Sequence, residues 1–487
     1  MMKLNSFPNI DAILNMRFFY ATFLIAILLI TGCSMVGPDY KKVQPDTPEI
    51  WHTRLQGGLT MGQIDPATLA NWWTTLNDPL LESLEKRAVQ GSLDLQTARA
   101  RIREARAQRG ITQAGLFPDV NGSGSVKNHN TSKNNKGSGV KNTTYALGFD
   151  AGWELDLFGG IHRSIEVADA NLSATREDLH DVLVSLMAEV ALNYVDVRTY
   201  QARLTAAQIS LAAQQESYDL NLSSYEAGLI NQLAVEQASY NLERTQSLIP
   251  SLQMGLESAK NRLAVLLGER PGAVHKELAD HQPIPTIPVT MTVGIPAETL
   301  RNRPDIRQAE RNLAAQTARI GVATADLYPK FSLAGTVGLE SISASDLFLS
   351  ASRAWNIGPS ITWNLFNGGA IRQNIEVQTA RQEQAMVAYE SAVLHAQEEV
   401  ENALTAYAKE QLRQEFLNRA TIAAQRVNVL ACDQYKSGLV DYNIVLDARR
   451  SLQSLEDELA TSKGKVTSNM IRLYKALGGG WIPEDTQ

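Results

Sequence analysis

The chain has 487 residues, 44% hydrophobic and 20% charged, a balance that excludes a disordered tail. A formal net charge of −7 offers no basic face for nucleic acid, and ordinary Gly (32) and Pro (17) exclude collagen-like or Pro-rich filaments. Two cysteines, Cys33 and Cys432, cannot build a disulfide framework or a zinc cluster, and the histidines fall at no metal-ligating spacing, so no metal site is expected.

The chain opens on Phe18 to Ile30, a short apolar run behind Arg17. A bilayer-spanning helix needs about 20 such residues, so this run fits the core of a secretory signal instead. Ile30-Thr31-Gly32-Cys33 follows, with small residues ahead of a thiol. It resembles a lipobox, cut before Cys33 with a lipid then attached to the sulfur. The competing reading is a buried cysteine after an ordinary signal. Residues 1–32 are therefore read as a lipoprotein signal peptide, starting at Met1 or Met16, and 33–79 as a lipid-anchored N-terminal segment. Ser34 in place of Asp implies, by the same resemblance, sorting to the outer membrane.

The rest of the chain repeats itself. Tyr225-Glu226-Ala227-Gly228-Leu229 returns 210 residues later as Tyr435-Lys436-Ser437-Gly438-Leu439. Trp153 returns as Trp363, Ile165-Glu166-Val167 as Ile375-Glu376-Val377, and Leu267-Gly268 as Leu477-Gly478, all at that offset. Upstream, Asp94-Leu95 matches Asp305-Ile306 and Leu116-Phe117-Pro118 matches Leu327-Tyr328-Pro329, each 211 apart. One unit therefore occurs twice, over 80–270 and 300–480, joined by a Pro-rich linker at 271–299 and followed by a tail at 481–487.

Each unit reads helix, strand, strand, long helix, helix. Leu93 to Ala114 and Asp305 to Ala325 are rich in helix formers, and Pro118 and Pro329 stop them. The strands Val120 to Val126 and Phe331 to Leu339 follow. From Tyr145 to Leu157 apolar and polar residues alternate, and Trp355 to Leu365 repeats the pattern. Lys127 to Thr144 reads as a solvated loop. Asp150, Glu154 and Asp156 fall on the polar side of their strand. Gly159-Gly160 and Gly368-Gly369 mark strand-to-helix breaks. Beyond the first, Ile161, Ile165, Ala168, Leu172, Thr175, Leu179, Val182 and Leu186 form a heptad seam. The helix continues to about Tyr225, a rod of roughly 95 Å. Gly228 and Gly438 then turn the chain back into Leu229 to Leu267 and Leu439 to Leu477, and Pro250 sits inside the first of these returns.

Long alternating strands with aromatic ends suit an outer-membrane barrel, though a soluble sandwich with one buried face shares the pattern. Four strands cannot close a barrel, and an open sheet edge cannot sit in lipid. A membrane reading therefore requires several chains to share one barrel, and three would give twelve strands.

Taken together, the sequence resembles a TolC-type outer membrane factor of the lipoprotein branch over essentially the whole mature chain. The motifs are Gly37-Pro38-Asp39-Tyr40, Trp72-Trp73 before Asp78-Pro79-Leu80, Trp153-Glu154-Leu155-Asp156-Leu157-Phe158-Gly159, Arg303-Pro304-Asp305-Ile306 and Val445-Leu446-Asp447-Ala448. The resemblance implies a mixed α and β fold: a homotrimer with a twelve-stranded outer-membrane β-barrel, continued by a periplasmic α-helical barrel of coiled-coil hairpins. It implies an exit duct for a tripartite efflux system, passive, with a periplasmic adaptor and an inner-membrane transporter as partners. It places Asp447 in a ring at the periplasmic mouth, and Gly228 and Gly438 at adaptor-facing tips. Arg450 stands one helical turn from Asp447, within reach of an ion pair, which as an ordinary surface pair would be worth a few tenths of a kcal/mol. In the first repeat the matching position is Gln237, so one copy carries the carboxylate. Glu398-Glu399 and Glu456-Asp457-Glu458 read as solvated faces, and Cys432 as a helix-packing residue. The same fold could serve type I protein secretion, and a structural coiled-coil envelope lipoprotein is a further reading. No Walker, metalloprotease, nucleophile-elbow or dinucleotide motif is present, so no catalytic residue and no cofactor beyond the Cys33 lipid are expected.

Overall fold

A computed structural model describes residues 35–44, 47–63, 65–132, 134, 141–286 and 291–481. The Cys33 expectation, the signal segment and the tail after Trp481 lie outside the described residues. Along the chain run β1 (Leu59–Met61), α1 (Pro66–Ala70), α2 (Pro79–Gly91), α3 (Leu93–Ala114), β2 (Asp119–Asn130), β3 (Lys141–Leu155), α4 (Gly160–Glu226) and α5 (Gln232–Leu266). Then follow β4 (Met291–Val293), α6 (Pro296–Asn302), α7 (Pro304–Ala325), β5 (Lys330–Ser341), β6 (Arg353–Thr362), α8 (Ala370–Lys436) and α9 (Tyr442–Ala476). The duplication is visible in the lengths: α4 and α8 have 67 residues each, α5 and α9 have 35 each. At 1.5 Å per residue the long helices measure about 100 Å. Pro250 lies within α5 without ending it.

The chain forms two compact units. The first comprises residues up to 43, 102–174 and 309–388. It holds one antiparallel sheet in the order β2-β3-β5-β6. The register pairs Phe149 with Gly122 and Val337, Leu147 with Gly124 and Leu339, and Val337 with Trp355. Because side chains alternate and the register is in phase, the apolar residues of all four strands share one face. On the other face Ser123 Oγ donates to Asp150 Oδ2 at 2.9 Å, and Ser332 and Ser360 hydroxyls lie 2.7 Å apart.

The first hairpin is longer than the sequence reading allowed. Lys127 to Asn130 pair with Lys141 to Thr144, residues assigned above to a loop. Backbone hydrogen bonding does not need apolar side chains, so the ladder runs on past the hydrophobic band. The second hairpin is shorter on its descending side: β6 ends at Thr362, leaving Trp363 and Leu365 beyond the strand.

The second unit comprises residues 44–101, 175–308 and 389–487. β1 and β4 pair in parallel, joining the segment before the first repeat to the Pro-rich linker. Its core packs Trp72, Leu81, Leu84, Tyr194, Leu263, Tyr407 and Ile471, among others. Trp72 is fully buried and stacks on Tyr474 with centroids 5.3 Å apart. Asp78 caps α2 by accepting from the Leu80 and Leu81 amides, and its other oxygen accepts from Tyr194 Oη at 2.6 Å. Arg303 donates to both Asp305 oxygens, to Glu399 and to the Ala476 carbonyl. The Trp72, Asp78-Pro79 and Arg303-Pro304-Asp305 motifs are thus the fastenings of this core.

Candidate functional site

Two glycines turn the long helices back. Gly228 and Gly438 have φ of +71° and +70°. Each accepts the left-handed conformation that ends a helix, and its amide bonds back to Tyr225 or Tyr435. The next amides, of Leu229 and Leu439, reach the carbonyls of Ser224 and Gln434 at 2.9 Å. Both leucines follow their turns bare, 77% and 74% exposed. Four residues of the tip region, Tyr442, Val445, Leu446 and Ala448, pack with Ala238 and Ala431 behind them, and Cys432 lies against this cluster.

Val445, Leu446 and Ala448 are buried, so helical geometry turns Asp447 outward, its side chain 75% exposed. Arg450 Nη1 lies 3.8 Å from Asp447 Oδ1, a loose surface contact. Arg450 is held more firmly from the first repeat: its Nε donates to Asn241 Oδ1 at 2.8 Å, and its guanidinium lies 5.7 Å from the Tyr240 ring centroid. Tyr240 is the repeat mate of Arg450, so the two copies meet here. The sequence reading missed Asn241 and also Arg449, whose Nη1 donates to the Ala213 carbonyl at 2.7 Å and to Ser217 Oγ.

Four carboxylates have partners that the sequence did not indicate, though Glu399, Asp457 and Glu458 keep the solvent exposure expected of them. Asp457 is not merely solvated: it accepts two bonds from Arg203 of α4, at 2.7 and 3.0 Å. Glu399 belongs to the Arg303 cluster, and Glu458 accepts from Arg413 at 3.0 Å. Asp156 does not line a polar strand face. It accepts from the backbone and ring of His162, in the first turn of α4, and is nearly covered. The break before it uses Gly159 at φ +78°, and the second break uses Gly368 and Gly369 at +66° and +89°; Gly160 is already helical.

The sheet of the first unit is a separate candidate surface. Val120, Phe149, Val337, Trp355, Ile357 and Ile361 are large, apolar and exposed. Among the described residues its outer strands, β2 and β6, have no partner on their outer edges, and they run in opposite directions. Trp153 Nε1 donates to the Leu116 carbonyl at 2.9 Å, and Trp363 Nε1 to the Leu327 carbonyl at 3.0 Å. Each tryptophan therefore closes the end of the helix that feeds its own hairpin. No helix of the described residues is long and apolar enough to cross a membrane. No group of residues that could hold a metal ion occurs among the described residues.

An exposed apolar face and two free antiparallel edges define one section of a barrel shared between chains, an outer-membrane channel. The chain belongs to the outer membrane efflux protein family, whose family model matches residues 84–269 and 295–479. It is 33% identical over 474 residues to nodulation protein T of Rhizobium leguminosarum bv. trifolii, covering 96% of this chain and 99% of that protein. It is 34% identical over 463 residues to the cation efflux system protein CusC of Escherichia coli O6:H1, covering 94% and 98%. Among solved structures, the outer-membrane channel OprN superposes with a TM-score of 0.85 at 37% identity, over 92% of this chain and 100% of that one. The chain is one subunit of a trimeric outer-membrane efflux channel with a helical periplasmic part.

Proposed function

We propose that this channel is the exit duct of a tripartite efflux system for small toxic compounds or metal ions. An inner-membrane transporter supplies the energy and a periplasmic adaptor joins it to the duct. The observation that carries the reading is the sheet: an apolar face and two complementary free edges make sense only in a wall shared with other copies. The duct is passive and performs no chemistry. The exposed Leu229 and Leu439, set by the turns at Gly228 and Gly438, form the adaptor-facing tips. Asp447 and Arg450 form the periplasmic gate, and a lipid on Cys33 adds a second anchor. Kinship with a cation efflux protein supports a metal or small-molecule cargo. Deleting the gene should raise sensitivity to toxic organic compounds or metal salts, with rescue by a plasmid copy. Unchanged sensitivity to both classes, with purified protein running as a stable monomer, would overturn the reading.

A further inference from the structure

The repeat and the contacts inside one chain specify how neighbouring chains meet. In the first unit α7 lies antiparallel to α4: a Cβ on Gly321 would come 2.8 Å from the Arg163 side chain, and one on Gly160 would come 3.1 Å from Ala325. In the second unit the same helices are tied by Arg307 to Glu177 at 3.0 Å and by Gln308 to Asp178 at 3.3 Å. α4 also touches α3, its own repeat's short helix, through Arg109 and Asp169. Thus α4 is flanked by the short helix of its own repeat and by that of the next. α8, the copy of α4, shares clefts with α7 of its own repeat, whose lining includes Gln316, Arg319, Arg381 and Gln384. The described residues supply no third short helix of this kind for its other flank.

We propose that α3 of one subunit seats on α8 of its neighbour, in the register that α7 takes on α4, and that Arg103 and Arg106 pair there with Glu376 and Glu383. Applying the 211-residue offset, Arg103 takes the place of Ala314 and Arg106 that of Thr317. Those positions are 9% and 7% exposed, on the α7 stripe that carries Arg307 and Gly321 toward α4 and that Gly37 and Tyr40 also overlie, at Gly321 and Glu310. The equivalent joint between chains would therefore cover two guanidinium groups, which is unfavourable without counter-charges. In a single chain both arginines are exposed and have no ion-pair partner among the described residues. The same register brings Arg106 opposite positions 377–378 of α8 and Arg103 opposite 380–381. Glu376 and Glu383 stand within one helical turn of those points, seven residues apart and so on one face. Both are exposed. Their environment differs from the first repeat in a telling way. There Glu166 is taken by Arg163 at 2.8 Å, but the matching pair in α8 is Gln373 and Glu376, so the arginine is missing within the chain. On α8 Arg372 lies one turn before Glu376, with no ion pair to it among the described residues, and Arg381 lines the cleft shared with α7 of its own chain.

The joint rests on the trimeric channel reading, and charge reversal separates the two. Glu376→Arg with Glu383→Arg should abolish the heat-sensitive trimer band on gels while leaving helical circular dichroism unchanged. Arg103→Glu with Arg106→Glu should do the same, and combining all four substitutions should restore the band. Trimers of both double variants that melt at the wild-type temperature would overturn the joint alone. So would a fourfold variant no more trimeric than its parents. A wild-type protein with no trimer at all would overturn the joint and the shared barrel together.

Discussion

Glu85 has no exposed surface, and neither of its carboxylate oxygens finds a hydrogen-bond partner. Burial alone pushes its carboxyl well above the usual carboxylate range. Burial thus favours the protonated form in the fold more than in the unfolded chain. Stability is therefore fully present below the unfolded pKa and is lost as pH rises toward the folded one. Glu85→Gln keeps the shape and removes the titration. It should unfold at higher denaturant than wild type at pH 7, and the gap should narrow as the pH falls toward the ordinary carboxylate range, roughly pH 4. A gap that is the same at both pH values would refute the protonated carboxyl. The sequence carried a trace of this residue: Leu81, Leu84, Glu85 and Ala88 share one helical stripe, with an acid at a core position. Arg303 is the opposite case, a buried charge with every partner in place. Its motif was legible, but its partners Glu399 and Ala476 lie far along the chain, beyond any spacing rule. Arg303→Ala should cost about 1–3 kcal/mol, because it leaves the buried Ala476 carbonyl without its donor while the half-exposed Asp305 and exposed Glu399 turn to water, as read by thermal unfolding.

Strand alternation and helix length could be read because each depends on neighbours two to seven residues away. The 210-residue offset then doubled the signal, and Leu93–Ala114 was placed to the residue. Hairpin length could not be read, since Lys127 to Asn130 are in the sheet through backbone pairing alone. Asp156 was misplaced for a related reason: the alternation predicts a strand residue, but its carboxylate is captured by the amide of His162 as α4 starts. The close approach of two strands was also invisible. Gly148 and Gly338 are paired across β3 and β5, and a Cβ on Gly338 would lie 2.6 Å from the Leu147 carbonyl oxygen. Gly358 of β6 would meet nothing within 4 Å. Gly338→Val should therefore disrupt the sheet and deplete folded protein in outer membranes, whereas Gly358→Val should be tolerated, as quantified by membrane fractionation. Equal yields would show that the sheet absorbs the clash.

At the scale of the assembled channel, one copy of the repeat is neutral where the other is charged. Three subunits carry three Asp447 carboxylates, while the matching Gln237 adds none. Charges brought together in a narrow passage favour cations and repel one another, so a closed mouth must hold them with counter-charges. Arg450 is suited to that task because Asn241 and the Tyr240 ring fix its guanidinium from the other repeat, while its contact with Asp447 stays loose at 3.8 Å. In the proposed gate, Asp447→Ala removes interactions that the open state does not need, which should shift the population toward open. Conductance in planar bilayers should rise and cation preference should weaken. Arg450→Ala should also raise conductance but keep cation preference, since the carboxylates remain. Gln237→Ala should change neither property. Wild-type conductance and selectivity in both the Asp447→Ala and Arg450→Ala channels would reduce the pair to a surface contact and move the gate elsewhere.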